Sequence, residues 1–183
     1  SVAQAAMDAS ADGILVVVAG LKAVSMNDRF IQMWGIPQEL AASGDMRRMA
    51  EFVLPQLEDP AAFLASTAKN SWDFDAPDAR DILRLKDGRV FERITTPFHV
   101  RGRKEGRTVT TRDLTAHYEG LRAQAQALSV AQAAMDASAD GILVVGPGMK
   151  IITVNSRFFE IWGVPKEVVE SGDIHRVIEH CKP

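Results

Sequence analysis

The sequence predicts an α+β fold: a five-stranded antiparallel sheet with short helices on one face, followed by a linker helix and part of a second such unit. Three observations carry that expectation. Residues 1–17 and 129–145 are the same string, SVAQAAMDASADGILVV, and the match runs ungapped to residue 183 with 32 of 55 positions identical. Within one 128-residue unit the pattern reads strand, strand, several short helices, then three strands. After Thr115 an apolar seam recurs at alternating intervals of three and four residues. Stacked solenoid repeats run at roughly 20–50 residues, so each unit here is domain-sized.

The elements follow in order. Residues 2–10 are rich in Ala, Gln and Met, which favour helix, and Asp12-Gly13 punctuates it. Ile14 to Val18 is a strand of β-branched and leucine residues, and Gly20-Leu21-Lys22 turns the chain into a second strand over Ala23 to Met26. Asn27 or Asp28 caps a helix whose Phe30, Met33 and Trp34 share one face, with Gly35 ending it and Pro37 opening the next. Asp45 caps a segment carrying Met46, Met49, Phe52 and Val53, which Pro55 interrupts. Asp59-Pro60 starts one more helix, with Phe63 and Leu64. Strands over Asp81 to Leu85 and Arg89 to Thr96 flank the hairpin signal Asp87-Gly88. Residues 102–106 are expected to turn the chain into a last strand over Arg107 to Arg112. The stretch from Ala116 to Ala139 has no proline, and Tyr118, Leu121, Ala125, Leu128, Gln132 and Met135 form its seam, with a polar break at Gln132.

Bulk properties exclude several function classes. Hydrophobic residues make up 46% and charged residues 25%, a globular balance. A net charge of −3 gives no strong pull toward nucleic acid or an anionic membrane. The apolar runs are too short to span a bilayer, and no secretory signal is visible. Cys181 is the single cysteine, which leaves no intrachain disulfide and no multi-cysteine zinc site; a reducing, cytoplasmic setting is the simplest fit. The chain reads as a piece of a longer protein. Its second copy lacks the three closing strands, so that hairpin is expected to be exposed, to pair with a partner chain, or to swap with the near-identical first half of another unit.

Several segments, taken in order and spacing, carry a family resemblance. They are Asp12-Gly13-Ile14-Leu15-Val16-Val17, Asn27-Asp28-Arg29-Phe30, Trp34-Gly35-Ile36-Pro37, Asp87-Gly88-Arg89-Val90-Phe91-Glu92 and Arg112-Asp113-Leu114-Thr115. Together they resemble the PAS sensor family. The resemblance makes 1–115 a first PAS domain with an N-terminal helix over 1–11, 116–139 a signalling linker helix, and 140–183 the N-terminal half of a second PAS domain. It implies a curved sheet facing short helices around a small cavity. It also implies a place in bacterial signalling proteins such as histidine kinases, cyclic-di-nucleotide enzymes or transcription regulators. The catalytic effector is expected elsewhere in the same polypeptide.

Candidate sites follow. Asp113 and Thr115 resemble the terminal Asp-x-Thr motif through which such sheets hand over to an output helix, and they are expected to relay the signal, or simply to cap that helix. Phe30, Trp34, Met49 and Phe52 are expected to face the sheet, where they line a small-molecule pocket or fill the core. Tyr118, Leu121, Ala125, Leu128 and Met135 form the expected homodimer seam. Arg101, Arg103, Lys104 and Arg107 read as a solvated hairpin tip.

No catalytic residue and no metal site is assigned; the leading expectation is that no cofactor is bound, and the alternative is a small-molecule or cofactor-binding sensor with an occupied apolar pocket. In the light-sensing branch of the family a reactive cysteine follows the Asn; Asp28 and Ser156 stand there, so cysteinyl-flavin chemistry is disfavoured. Haem is not expected either: His99, His117, His175 and His180 sit in no ligating pattern, and the last two are five apart.

Overall fold

The computed structural model describes residues 2–18, 20–70 and 77–181. The chain divides into two compact units, Ser1–Glu119 and Gly120–Pro183.

The first unit opens with α1 (Val2–Asp8), then the hairpin β1 (Gly13–Val18) and β2 (Lys22–Met26). Leu15 and Val17 point inward while Ile14, Val16 and Val18 are only partly covered, the period-2 pattern of a strand with one buried face. Gly13 has a packing reason beyond its turn signal. A Cβ there would sit 2.9 Å from the Phe30 Cα, so only glycine lets β1 approach α2 (Asp28–Trp34). Asn27 caps α2, and Gly35 ends it in the left-handed region at φ 63°.

α3 (Gln38–Ser43) and α4 (Met46–Val53) follow, with the Asp45 carboxylate accepting the Arg47 and Arg48 N–H groups. Pro55 sits in a single 3₁₀ turn, Leu54–Gln56. α5 (Pro60–Asn70) starts where the Asp59 side chain accepts the Ala62 N–H at 2.8 Å. β3 (Ala79–Arg84), β4 (Val90–Val100) and β5 (Arg103–Asp113) complete an antiparallel sheet in the order β2-β1-β5-β4-β3. The expected five-stranded sheet is therefore present. Its helix-facing side and α2 to α4 enclose Leu15, Val17, Phe30, Trp34, Met49 and Phe91 in one apolar core.

The third hairpin departs from expectation. The turn shrinks to Arg101-Gly102, both at positive φ (49° and 80°), so β5 begins at Arg103 rather than Arg107. Positive φ at both turn residues matches the twist of the paired strands, and a bulge between Phe98 and His99 absorbs the register change. Arg107 consequently leaves the hairpin tip. Alternation from Thr111 through Val109 turns it to the inner face, where it is fully buried and donates to the Pro77 and Thr95 carbonyls at 2.8 and 3.1 Å.

α6 runs unbroken from Thr115 to Asp136, ending three residues before the expected boundary at Ala139. The second unit then holds the hairpin β6 (Leu143–Val145) and β7 (Ile151–Val154), α7 (Ser156–Trp162), α8 (Lys166–Glu170) and α9 (Ile174–His180). Phe158, Val164, Val169, Ile174 and Val177 form its own small core. Trp162 is 53% exposed whereas its repeat equivalent Trp34 is 3% exposed, because Trp34 is packed by Phe91 of β4 at 5.2 Å.

Candidate functional site

Two places in the first unit concentrate chemistry. The first is a cavity of about 80 Å³ between the inner face of the sheet and α2, α4 and α5. Phe30, Trp34 and Met49 line it, with Val53 and Phe63 beside them. Phe52 does not. It is 37% exposed, because Met46, Met49 and Val53 take the inward face of α4 and leave residue 52 about 100° off that stripe. The placement of Phe52 in the pocket is corrected accordingly.

The polar residues on the cavity wall were not read from the sequence. Arg93 of β4 is buried and donates to Asp81 through Nε at 3.1 Å and Nη2 at 2.7 Å, to Thr67 at 2.7 Å and to Ser66 at 3.0 Å. Its guanidinium also lies 4.5 Å from the centre of the Phe63 ring. One side chain thereby clamps α5 to β3 and β4, with its charge met by Asp81. Thr111 of β5 lies opposite Arg93 in the ladder and also lines the cavity.

The second place is the sheet-to-helix junction. Asp113 ends β5, and its carboxylate accepts the Thr115 N–H at 2.9 Å and the Thr115 hydroxyl at 2.6 Å. Thr115 Oγ1 in turn accepts the Val90 N–H at 3.1 Å, and the Leu114 N–H donates to the Val90 carbonyl at 2.8 Å. The first residue of α6 is thus tied to the first residue of β4. Asp113 takes a backbone N–H that the helix itself leaves unpaired.

Of the seam residues, Leu121, Ala125 and Leu128 are exposed, Leu128 at 71%. Tyr118 is half-buried under the Arg84 guanidinium, 5.2 Å from its ring centre. The Met135 carbonyl accepts from Asn155 at 2.7 Å, so the end of α6 belongs to the second unit. Asp136 makes the same attachment, accepting the Ser156 N–H at 2.9 Å, the Ser156 hydroxyl at 3.0 Å and the Gln132 amide at 3.3 Å. These bonds hold its carboxyl below its ordinary value, the Ser156 backbone N–H contributing most.

Asn27, which the sequence offers as a helix cap, and its repeat equivalent Asn155 are a repeated feature with a larger role. Each is fully buried and uses its amide in four hydrogen bonds. Asn27 donates to the Met7 and Asp12 carbonyls at 2.8 and 3.0 Å, and accepts from Ile14 and Phe30 at 2.8 and 2.9 Å. Asn155 repeats the pattern with Met135, Asp140, Ile142 and Phe158. The letter-for-letter repeat of the flanking helix was the signal that the attachment would recur.

On the outer face, Arg112 pairs with Asp12 at 2.8 Å and approaches Glu92 at 3.8 Å, while Arg80 meets Glu92 at 3.2 Å. Hydrogen bonding to Asp12 raises the Arg112 guanidinium above its ordinary value. Among the described residues no group of three or more His, Cys, Asp or Glu could hold a metal ion, and no helix is long and apolar enough to cross a membrane.

Comparison with known proteins follows this geometry. A family model described as PAS domain matches residues 3–72 and 131–183, and the second match begins inside α6. No curated protein matches the chain. Among solved structures, a PAS domain from Colwellia psychrerythraea is 21% identical over 61% of this chain and 93% of its own, with a TM-score of 0.46. The PAS domain of BvgS from Bordetella pertussis is 16% identical over 70% of this chain and 96% of its own, at 0.47. A domain of a putative light and redox sensing histidine kinase from Haloarcula marismortui is 16% identical over 62% and 97%, at 0.44. The family match covers more than half of the sequence and falls on both copies of the repeat, and the chain therefore belongs to the PAS domain family of sensory modules.

Proposed function

We propose that this chain is a signal-input and relay module of a larger signalling protein, such as a histidine kinase or a cyclic-di-nucleotide enzyme, and that it works in the cytoplasm as a homodimer. The observation that carries this reading is the position of Thr115. Its hydroxyl belongs at once to the sheet, through Val90 and Asp113, and to the first turn of α6. A shift of β4 against β5 therefore reaches a helix of 22 residues, long enough to act as a lever of about 33 Å. The exposed Leu121 and Leu128 supply apolar side chains for a second copy of the same helix. Light scattering of the full chain tests the dimer: a dimer that Leu121→Asp plus Leu128→Asp converts to monomer supports it. A parent chain that is already monomeric at high micromolar concentration refutes it.

A second reading is favoured by the cavity beside Trp34 and Met49: the input is a small molecule held in the first unit. Native mass spectrometry and a visible absorption spectrum of the purified chain test whether anything is retained there.

A further inference from the structure

The cavity carries an imbalance that packing alone does not require. Trp34 is 3% exposed and Thr111 is 0% exposed, and both line the cavity. Among the described residues neither Trp34 Nε1 nor Thr111 Oγ1 has a hydrogen-bond partner. A buried polar group left unpaired costs about 1–3 kcal/mol; Val at 111 would keep the shape without that cost, and an apolar Phe at 34 would carry no N–H to satisfy. The two residues also share Phe91 as a neighbour. Trp34 packs edge to face on Phe91, and Thr111 is the diagonal neighbour of Phe91 across the β4–β5 ladder on the same inner face. Thr67, on the same wall, has its oxygen taken by Arg93, which leaves its hydroxyl proton directed elsewhere.

The charges on the wall select the ligand. Among the described residues Arg93 is the one cationic side chain lining the cavity, and Asp81 already meets it at 2.7 Å. A carboxylate or phosphate would enter a mainly apolar space with no counter-ion left for it. Among the described residues no carboxylate lines the cavity, so they leave a cation unmatched as well. The indole N–H can only donate and the Thr111 hydroxyl can donate as well as accept, so an acceptor oxygen is the one group that serves both. The space of about 80 Å³ is far below the roughly 300–1,000 Å³ of pockets for drug-sized molecules and admits only a few heavy atoms.

We propose that the first unit binds a compact neutral molecule, mostly hydrocarbon, whose single carbonyl-type oxygen accepts from Trp34 Nε1–H and Thr111 Oγ–H. This rests on the reading of the cavity as a small-molecule input and names the class of that input. The probes are 2-butanone, butyrate and butylammonium, titrated into the full ¹⁵N-labelled chain while the Trp34 indole N–H resonance is followed. Butanone is expected to move that resonance downfield saturably, with Trp34→Phe and Thr111→Val each weakening its binding about three- to tenfold. Butyrate and butylammonium are expected to leave the resonance in place. The indole shift is read on the parent chain, so the test survives if either variant fails to fold. Saturable binding of butyrate or butylammonium without butanone overturns the ligand class but keeps the cavity as an input. Silence with all three probes, which is the result if ordered water satisfies both donors, overturns the class and the small-molecule input together. Neither result touches the dimer measurement.

Discussion

Thr115 Oγ1 accepts the Val90 N–H at 3.1 Å, so the residue that begins the long helix is bonded to the residue that begins strand β4. Thr115→Val keeps the shape and removes both hydroxyl bonds. Val90 is buried, so its amide is left unsatisfied, and the expected loss is about 1–2 kcal/mol. Hydrogen exchange at Val90 and in the first turn of α6 is expected to accelerate about tenfold, with exchange in β1 unchanged. Uniform acceleration across the first unit would show that Thr115 supports the fold as a whole and does not specifically link strand to helix.

α4 separates an inner from an outer residue. Met49 is buried against the cavity and Phe52 is on the outer side of the same helix. Met49→Ala is expected to destabilise the first unit by about 2–4 kcal/mol, and Phe52→Ala by less than about 1 kcal/mol. Urea melts of the two variants check the order, and equal losses would place Phe52 in the core after all.

Asn155→Ala strips two carbonyls and two N–H groups of partners at a fully buried position. The expected cost is about 2–4 kcal/mol, confined to the second unit. Asn27→Ala is expected to cost a similar amount in the first unit, since its four bonds match one for one. Amide exchange measured separately over residues 2–18 and 130–146 reads the two effects apart. An Asn155→Ala chain with undisturbed protection at the end of α6 would remove Asn155 as the anchor of that helix.

The tie between Asp136 and Ser156 is pH-dependent. The folded carboxyl titrates below its ordinary value of 3.8, so the unfolded chain takes up the proton first. The stabilisation is present above 3.8 and is lost as pH falls through the lower folded value. Asp136→Asn is therefore expected to loosen the end of α6 at neutral pH and to match the parent in acid. Exchange at Ser156 across an acid titration measures this. In the first unit Asp28 stands in place of Ser156 and no comparable bond to Asp8 forms among the described residues, so that unit is expected to lack this component.

Much of the fold was legible because the deciding interactions are local. Asp87-Gly88 turns the chain between β3 and β4, with Gly88 at φ 93°, as the dipeptide predicts. Asn27, Asp45 and Asp59 cap helices whose first turns they immediately precede. The candidate site was less legible. Phe30, Trp34 and Met49 lie on stripes that helical spacing reveals, but Phe52 shows that spacing alone leaves the edge of a stripe undefined. Arg93 and Thr111 give no sequence signal of burial, since an arginine and a threonine in a strand read equally well as solvent-facing.

By itself the sequence determined the duplication, the order of strands and helices and the turn and cap positions. Each depends on residues within a few positions of one another, or on direct identity between copies. Tertiary structure decided the rest. The short turn at Arg101-Gly102 lengthened β5 and carried Arg107 from the hairpin tip to the interior. The pairing of β4 with β5 placed Thr111 across from Arg93 on the cavity wall. Asn155, 20 residues away in sequence, received the end of α6. In each case the partner is distant along the chain, and only when the sheet closes over the helices does its hydrogen-bonding need meet the group that satisfies it or leaves it open.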